Sequence, residues 1–366
     1  MKISFLISRQ NLYPTINDQW VKKVFEAFKV IKNYEVTIFT SVFIPTWELQ
    51  IYLCKKEYIK QIIVVPAKSN NEFFDLCTFY KDQFLLDERI STFYHLNIDS
   101  VSDKEISHFR DSYIINHSDV LYPISIREKG FFSKLLSANT TKSDTIFKIP
   151  YFYNHIKKSY KINIANCKGI PESIEDKYLF HWTRKSKSKW PDENHFDYYN
   201  SIINSSNINS SKYTRDAFST LNHILDKMCI CSSDRHLSKN CKSVSFSGLN
   251  PKRFIDNFRW RKRYTEMSFE PYGIGIDKKY ALNNGFVKVE YVEPINIKNV
   301  DIDKKWMVHS KGISNNWSNE EEYRFSGDVD LSLIPKDKLL CICLHKNEAQ
   351  EIQKKFHITS YSYYYE

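Results

Sequence analysis

Residues 1 to about 155 alternate short apolar runs with longer amphipathic stretches. The runs 3–8, 35–40, 61–66, 92–96, 120–123 and 146–150 predict strands. Between them, 19–31, 47–55, 71–83, 104–116 and 130–137 carry the spacing of helices. Apolar strands alternating with helices imply a parallel, doubly wound, Rossmann-like sheet. Ligands of such sheets bind beyond the carboxyl ends of the strands. The loops expected there hold small polar and basic residues suited to a phosphate. Ser8, Arg9, Ser125 and Arg127 are the candidates. No glycine-rich fingerprint follows the first strand, so a dinucleotide-binding assignment is not licensed.

The pattern changes near 156–177, which reads as a linker between a 1–155 domain and a 178–366 domain. The second half opens on Tyr178-Leu179-Phe180-His181-Trp182-Thr183-Arg184. As a strand it sets Phe180 and Trp182 on one face and His181 and Thr183 on the other. An amphipathic helix over 218–228 follows, then a strand over 244–249. Residues 253–263 interleave basic and aromatic side chains, which suits either single-stranded nucleic acid or a basic helix face. Gly273 and Gly275, two of 8 glycines, allow a close backbone approach. A short helix over 277–283, strands over 287–292 and 339–344, and a helix over 347–355 complete a mixed α+β half.

The 366 residues are 42% hydrophobic and 15% aromatic, enough for two cores. A net charge of +10 favours phosphate-bearing partners and equally fits a lysine-rich soluble surface. The 8 cysteines are scattered, which argues against a disulfide scaffold. Cys229-x-Cys231 and Cys341-x-Cys343 have the wrong spacing for a usual zinc knuckle, and no metal is expected. The second pair lies in an apolar run and reads as buried strand. Met1 leads directly into a strand with no signal peptide, and no apolar run approaches spanning length. A cytoplasmic protein without a membrane partner is expected. Self-association is left open.

One stretch stands apart: Trp317-Ser318-Asn319-Glu320-Glu321-Glu322-Tyr323-Arg324-Phe325. Glutamate is a poor strand former and adjacent carboxylates repel. A carboxylate at the mouth of a strand suits a reaction that develops positive charge, such as cleavage of a glycosidic bond. The plain alternative is an acidic loop before an edge strand. By strand parity Glu320 and Glu322 share a face and Glu321 takes the other.

Trp47-Glu48-Leu49-Gln50, Ile62-Ile63-Val64-Val65-Pro66, Arg110-Asp111 and Ser125-Ile126-Arg127-Glu128-Lys129-Gly130 resemble the SLOG group of nucleotide-sensing Rossmann-like domains. In the second half, four ordered blocks resemble the AbiGi-type abortive-infection family and, more distantly, ADP-ribosyltransferases of the DarT type. They are Phe180-His181-Trp182-Thr183-Arg184, Val244-Ser245-Phe246-Ser247, Glu270 to Ile276, and Lys311 through Arg324. This resemblance implies an ADP-ribosyltransferase-like fold acting on NAD, as a phage-defence or toxin effector. It implies that His181 holds the ribose with support from Thr183, and that Ser247 lines the nicotinamide pocket. Tyr272 would stack on a base, and Glu322, or Glu320, would stabilise the oxocarbenium ion. Arg184 and Arg324 would neutralise the pyrophosphate. The acceptor, whether DNA, RNA, protein or water, is left open. The alternative is a nucleotide- or nucleic-acid-binding regulatory module without catalysis. A cleft shared by the Glu322 carboxylate and the His181 ring favours the enzyme. If the two lie on opposite faces of the sheet, that reading fails.

Overall fold

The computed structural model describes residues 1–138, 151–153, 162, 164, 167, 169–205, 213–234, 237, 241–262, 264–295, 300–311 and 320–364, with backbone alone at 151–153 and 302–303. The chain divides into two units: Met1–Ile156 with Lys187–Thr214, and Lys157–Ser186 with Arg215–Glu366.

In the first unit, β1 (Lys2–Ile7), β2 (Thr37–Ser41), β3 (Lys60–Ala67), β4 (Ser91–Asn97), β5 (Val120–Arg127) and β6 (Tyr151–Tyr153) form a parallel sheet of order β4-β3-β2-β1-β5-β6. The expected strand 146–150 lies outside the described residues. Helices α1 (Gln19–Ile31), α2 (Pro45–Glu57), α3 (Asn70–Phe84), α4 (Ile106–His117) and α5 (Phe131–Ala138) fall where periodicity put them. Helix α1 buries Trp20, Val21, Val24, Ala27, Phe28 and Ile31, a stripe at helical spacing. Ser69 caps α3 by accepting from the Glu72 amide. With so few glycines, left-handed helix ends fall to Tyr58 after α2 and Leu85 after α3. Each costs about 1 kcal/mol that glycine would avoid.

The expected 178–366 domain needs correction. Helix α6 (His195–Asn204) buries Tyr198, Tyr199, Ile202 and Ile203 in the core of the first unit, with Tyr52 and Phe84. Tyr199 Oη donates to Glu48 Oε2 at 2.9 Å, and Tyr52 Oη to Asn200 Oδ1 at 2.9 Å. Burial raises the Glu48 carboxyl above its usual range, and the Tyr199 and Tyr80 hydroxyls oppose that rise.

The second unit is built on a seven-stranded mixed sheet of order β13-β16-β9-β7-β12-β18-β19. Its strands are β7 (Tyr178–Trp182), β9 (Ser243–Ser247), β12 (Gly273–Asp277), β13 (Val287–Lys288), β16 (Glu322–Ser326), β18 (Leu339–Cys343) and β19 (Thr359–Ser362). Small ladders join β8 (Cys229–Ile230) to β17 (Val329–Asp330), β10 (Trp260–Arg261) to β11 (Glu266–Met267), and β14 (Glu290–Val292) to β15 (Val308–Ser310). The helices are α7 (Ala217–Lys227), α8 (Pro251–Phe254), α9 (Lys278–Asn283) and α10 (Lys346–Phe356).

The sheet has two distinct faces. Leu179, Phe246, Ile274, Tyr323, Cys341 and Cys343 pack with Leu221 and Leu225 of α7 and Ile352 of α10. Phe180, Trp182, Leu340 and Ile342 pack on the other face with Phe254, Phe258 and Tyr363. A Cβ on Gly273 would meet the Trp182 ring at 2.8 Å, and one on Gly275 the Phe180 ring at 2.8 Å. Those glycines therefore make room for aromatic side chains of the neighbouring strand.

Three further expectations change. Residues 253–263 are not one helix: α8 passes into a 3-10 turn (Ile255–Asn257) and then into β10. The single strand over 287–292 is split between two sheets. Strand β16 is not an edge, because β13 covers its outer side.

Candidate functional site

The β16–β9 ladder pairs Glu322 with Ser247 and Arg324 with Ser245. Directly paired residues share a face, so these four side chains sit together on the Phe180–Trp182 side. Glu322 Oε1 accepts from Ser245 Oγ at 2.8 Å and from Arg324 Nε at 2.8 Å. Its Oε2 takes Arg324 Nη2 at 3.2 Å and the Tyr291 hydroxyl at 3.4 Å. Arg324 is itself buried and donates through Nη1 to the carbonyls of Trp306 (2.9 Å) and Val308 (3.3 Å). Two charges out of water require this much bonding, since a lone buried charge is costly.

Strand parity does not extend back to Glu320. Strand β16 starts at Glu322, and Glu321 is left-handed, with φ 47°. The turn is held by Ser247 Oγ donating to the Glu320 carbonyl at 2.7 Å, and by the Gly248 amide donating to the Glu321 carbonyl at 2.8 Å. A Cβ on Gly248 would meet the Tyr323 ring at 2.8 Å. The Glu321 carboxylate is 3.7 Å from Arg253. The Glu320 carboxyl is pushed up to about 7, chiefly by burial and then by the charge of Glu322, against Arg259 and Arg261. Trp317 and the preceding residues back to 312 lie outside the described residues.

His181 is not part of this group. Phe180 pairs with Ser247, so His181 faces the other side of the sheet. Its ring packs 5.7 Å from that of Phe246, which is opposite Tyr323. Its Nδ1 donates to the Ser245 carbonyl at 2.9 Å, just beyond the single β7–β9 pairing. There the imidazole takes the place of a ladder amide. Burial lowers the His181 pKa, the Ser245 bond raises it, and Arg184 lowers it.

The other expected residues are drawn into the frame. Thr183 is buried, its hydroxyl shared between the carbonyls of Ala217 (3.0 Å) and Tyr272 (3.1 Å). Tyr272 packs on Phe218 and donates to Glu348 Oε1 at 3.1 Å, so it is a core residue and not an open stacking platform. Ser247 holds the Glu320 turn, and Arg324 is committed to Glu322 and two carbonyls. Arg184 is 3.7 Å from Glu266. Of the expected residues, Glu320, Glu322, Arg324 and Ser247 lie together; Arg259 and Arg261, expected only as part of a basic run, stand beside them, and Ser245 and Tyr291 were not expected. The alternation Ser243-Val244-Ser245-Phe246-Ser247 carried the signal for Ser245.

In the first unit the strand order reverses between β1 and β5, and the expected loops meet there. The Ser8 amide donates to the Ser125 carbonyl at 2.8 Å, and Ser8 Oγ accepts from the Arg127 amide at 3.0 Å. Gln10 Nε2 donates to Ser125 Oγ at 2.9 Å. Both serines are buried, while the Arg9 and Arg127 side chains are exposed.

A cavity of about 430 Å³ opens beside α9, lined by Lys177, Asp277, Lys278 and neighbours, and none of the expected site residues line it. No helix among the described residues is long and apolar enough to cross a membrane. No protein-family model, no curated protein and no solved structure matches this chain.

Proposed function

We propose that the second unit cleaves the N-glycosidic bond of a nucleotide of the NAD type on the face carrying Ser245, Glu320 and Glu322. The enzyme first expected, with His181 and Glu322 in one cleft, is set aside by the strand register. A geometric observation carries the revised reading: Ser245 and Arg324 fix the Glu322 carboxylate next to the turn that Ser247 holds at Glu320, and burial raises the Glu320 carboxyl to about 7. An acid close to neutrality next to a fixed carboxylate is the arrangement that glycosidic chemistry uses.

Departure of nicotinamide leaves positive charge on the ribose. Glu322, fixed by Ser245 and Arg324, presents preorganised negative charge to it. Glu320 takes or gives the proton of the acceptor, be it water, protein or nucleic acid. Arg253, Arg259 and Arg261 supply cations beside the acids for a pyrophosphate. In this proposal the protein is a cytoplasmic defence or toxin effector, with a nucleotide-sensing site at Ser8, Arg9, Ser125 and Arg127.

A second reading, a binding module without chemistry, is favoured by the fully bonded state of Glu322, whose two oxygens already hold partners. Incubation with NAD, with and without nucleic acid, followed by mass spectrometry for nicotinamide, separates them. Release that disappears in Glu320→Gln and Glu322→Gln supports the enzyme. Binding of NAD with no release under any condition supports the module.

A further inference from the structure

We propose that Cys229, Cys231 and Asp328 form a zinc site in the second unit, independent of the glycosidic reading. One ligand atom from each lies within 4.8 Å of the other two. The geometry follows from the β8–β17 ladder. Val329 pairs with Ile230 and Asp330 with Cys229, which carries Asp328 opposite Cys231. Alternate residues of a strand share a face, so Cys-x-Cys presents both sulfurs to one side. A knuckle turn needs a longer gap between its cysteines, but an extended strand does not.

The carboxylate is already oriented. Asp328 Oδ1 accepts from the Ser232 amide at 2.7 Å and from Ser232 Oγ at 2.6 Å. Supporting hydrogen bonds of this kind fix a ligand before the metal arrives. The Gly327 amide donates to the Lys242 carbonyl at 3.1 Å, and Ser233 bridges Ser243. The three residues would take three positions of a tetrahedral zinc and leave the fourth to water.

Thiolates select zinc over magnesium or calcium. Tetrahedral bonds of about 2.3 Å set sulfurs roughly 3.8 Å apart, so the ligands need only a small inward rotation. Each thiol that binds gives up its proton to solvent, so uptake releases protons. The site would tie the strand after α7 to the chain leaving β16, the strand that carries Glu322 and Arg324.

The test uses the full chain, purified under reducing conditions. Zinc is measured by elemental mass spectrometry, and the stripped protein is titrated with Co²⁺, whose thiolate bonds give a charge-transfer band. About one metal per chain is expected, with the band present. Cys231→Ser and Cys229→Ser should each abolish the band, while Cys77→Ser, a cysteine of the first unit, should leave it intact. Ser232→Ala, which removes only a donor to Asp328, should weaken Co²⁺ binding about 10- to 100-fold. Wild-type protein that binds neither metal overturns the proposal, whatever the variants do. So does a band that survives in both cysteine variants, or a Cys229–Cys231 disulfide found in place of the metal.

Discussion

Ser245 Oγ donates to Glu322 Oε1 at 2.8 Å, reaching diagonally across the β9–β16 ladder. Ser245 is exposed while its acceptor is pinned from behind by buried Arg324. The hydroxyl therefore sits at the solvent side of an otherwise internal ion pair.

This arrangement separates chemistry from stability. Ser245→Ala removes one bond to a charged group and leaves the ion pair. Turnover of NAD should fall roughly tenfold, with stability lowered by about 1–2 kcal/mol. Glu322→Gln should lower turnover about a hundredfold and also strip Arg324 of its counter-charge, at about 3 kcal/mol. Glu322→Gln/Arg324→Met should recover part of that stability and none of the turnover. Urea midpoints beside single-turnover assays test the split. Recovery of activity in the double variant would place Glu322 in the frame alone.

His181→Ala should leave the apparent affinity for NAD unchanged, against the role first expected of it. It should destabilise, because the Ser245 carbonyl loses its donor. The pH dependence has a definite sign. His181 is lowered from 6.5 in the fold, so below that value the unfolded chain binds the extra proton. Its contribution is present at neutral pH and is lost as pH falls below about 6.5. A thermal-melt series should show a shallower acid limb in the variant. A change in NAD affinity without a change in that limb would return His181 to the site.

The elements of the first sheet were legible because buried parallel strands and striped helices write their periods directly into the sequence. Helix α6 was not, because Tyr198, Tyr199, Ile202 and Ile203 form an ordinary amphipathic face that does not name the core it joins. Parity set His181 opposite Phe180 and Trp182 correctly, but it did not extend back through the left-handed Glu321 to Glu320. What hid the separation of His181 from Glu322 was reading the resemblance block by block, without pairing β7 against β9. The left-handed turn at Glu321 was invisible because no glycine marks it.

A fragment ending at residue 155 should be markedly less stable than the same segment in the whole chain. It would expose Tyr52 and Phe84 and remove the Tyr199 hydroxyl from buried Glu48. Loss of a bonded partner to a buried carboxyl, added to the apolar area of one helix, amounts to several kcal/mol, on the order of half a domain's stability. Urea denaturation followed by far-ultraviolet dichroism reads this. Equal midpoints would show that α6 contributes nothing to that core.

In the first unit, Arg127→Ala should weaken a nucleotide's stabilising effect in thermal shift, because Arg127 is exposed at the carboxyl end of β5, where the strand order reverses beside β1. Ser8→Ala should cost stability without a ligand, since its hydroxyl holds the Arg127 amide. Wild-type protein unmoved by any nucleotide would remove the basis for sensing at this loop pair.

Glu320 gives the most discriminating pH experiment. Its folded carboxyl is raised from 4.5 to about 7. Between those values the folded chain keeps a proton that the unfolded chain has lost, so stability falls as pH rises through the window. The penalty is complete above about 7 and is at most about 3 kcal/mol, less whatever solvent reaches the group. Glu320→Gln should therefore be more stable than wild type at pH 8 and equal to it near pH 4. If Glu320 also moves the acceptor's proton, the wild-type pH profile of kcat/KM should bend near 7, and the bend should vanish in Glu320→Gln along with most of the rate. A purely structural Glu320 would show the stability crossover and leave the rate profile where it was. A variant with no crossover would mean that the carboxyl is not held near neutrality, and the acid–carboxylate pair would lose its physical basis.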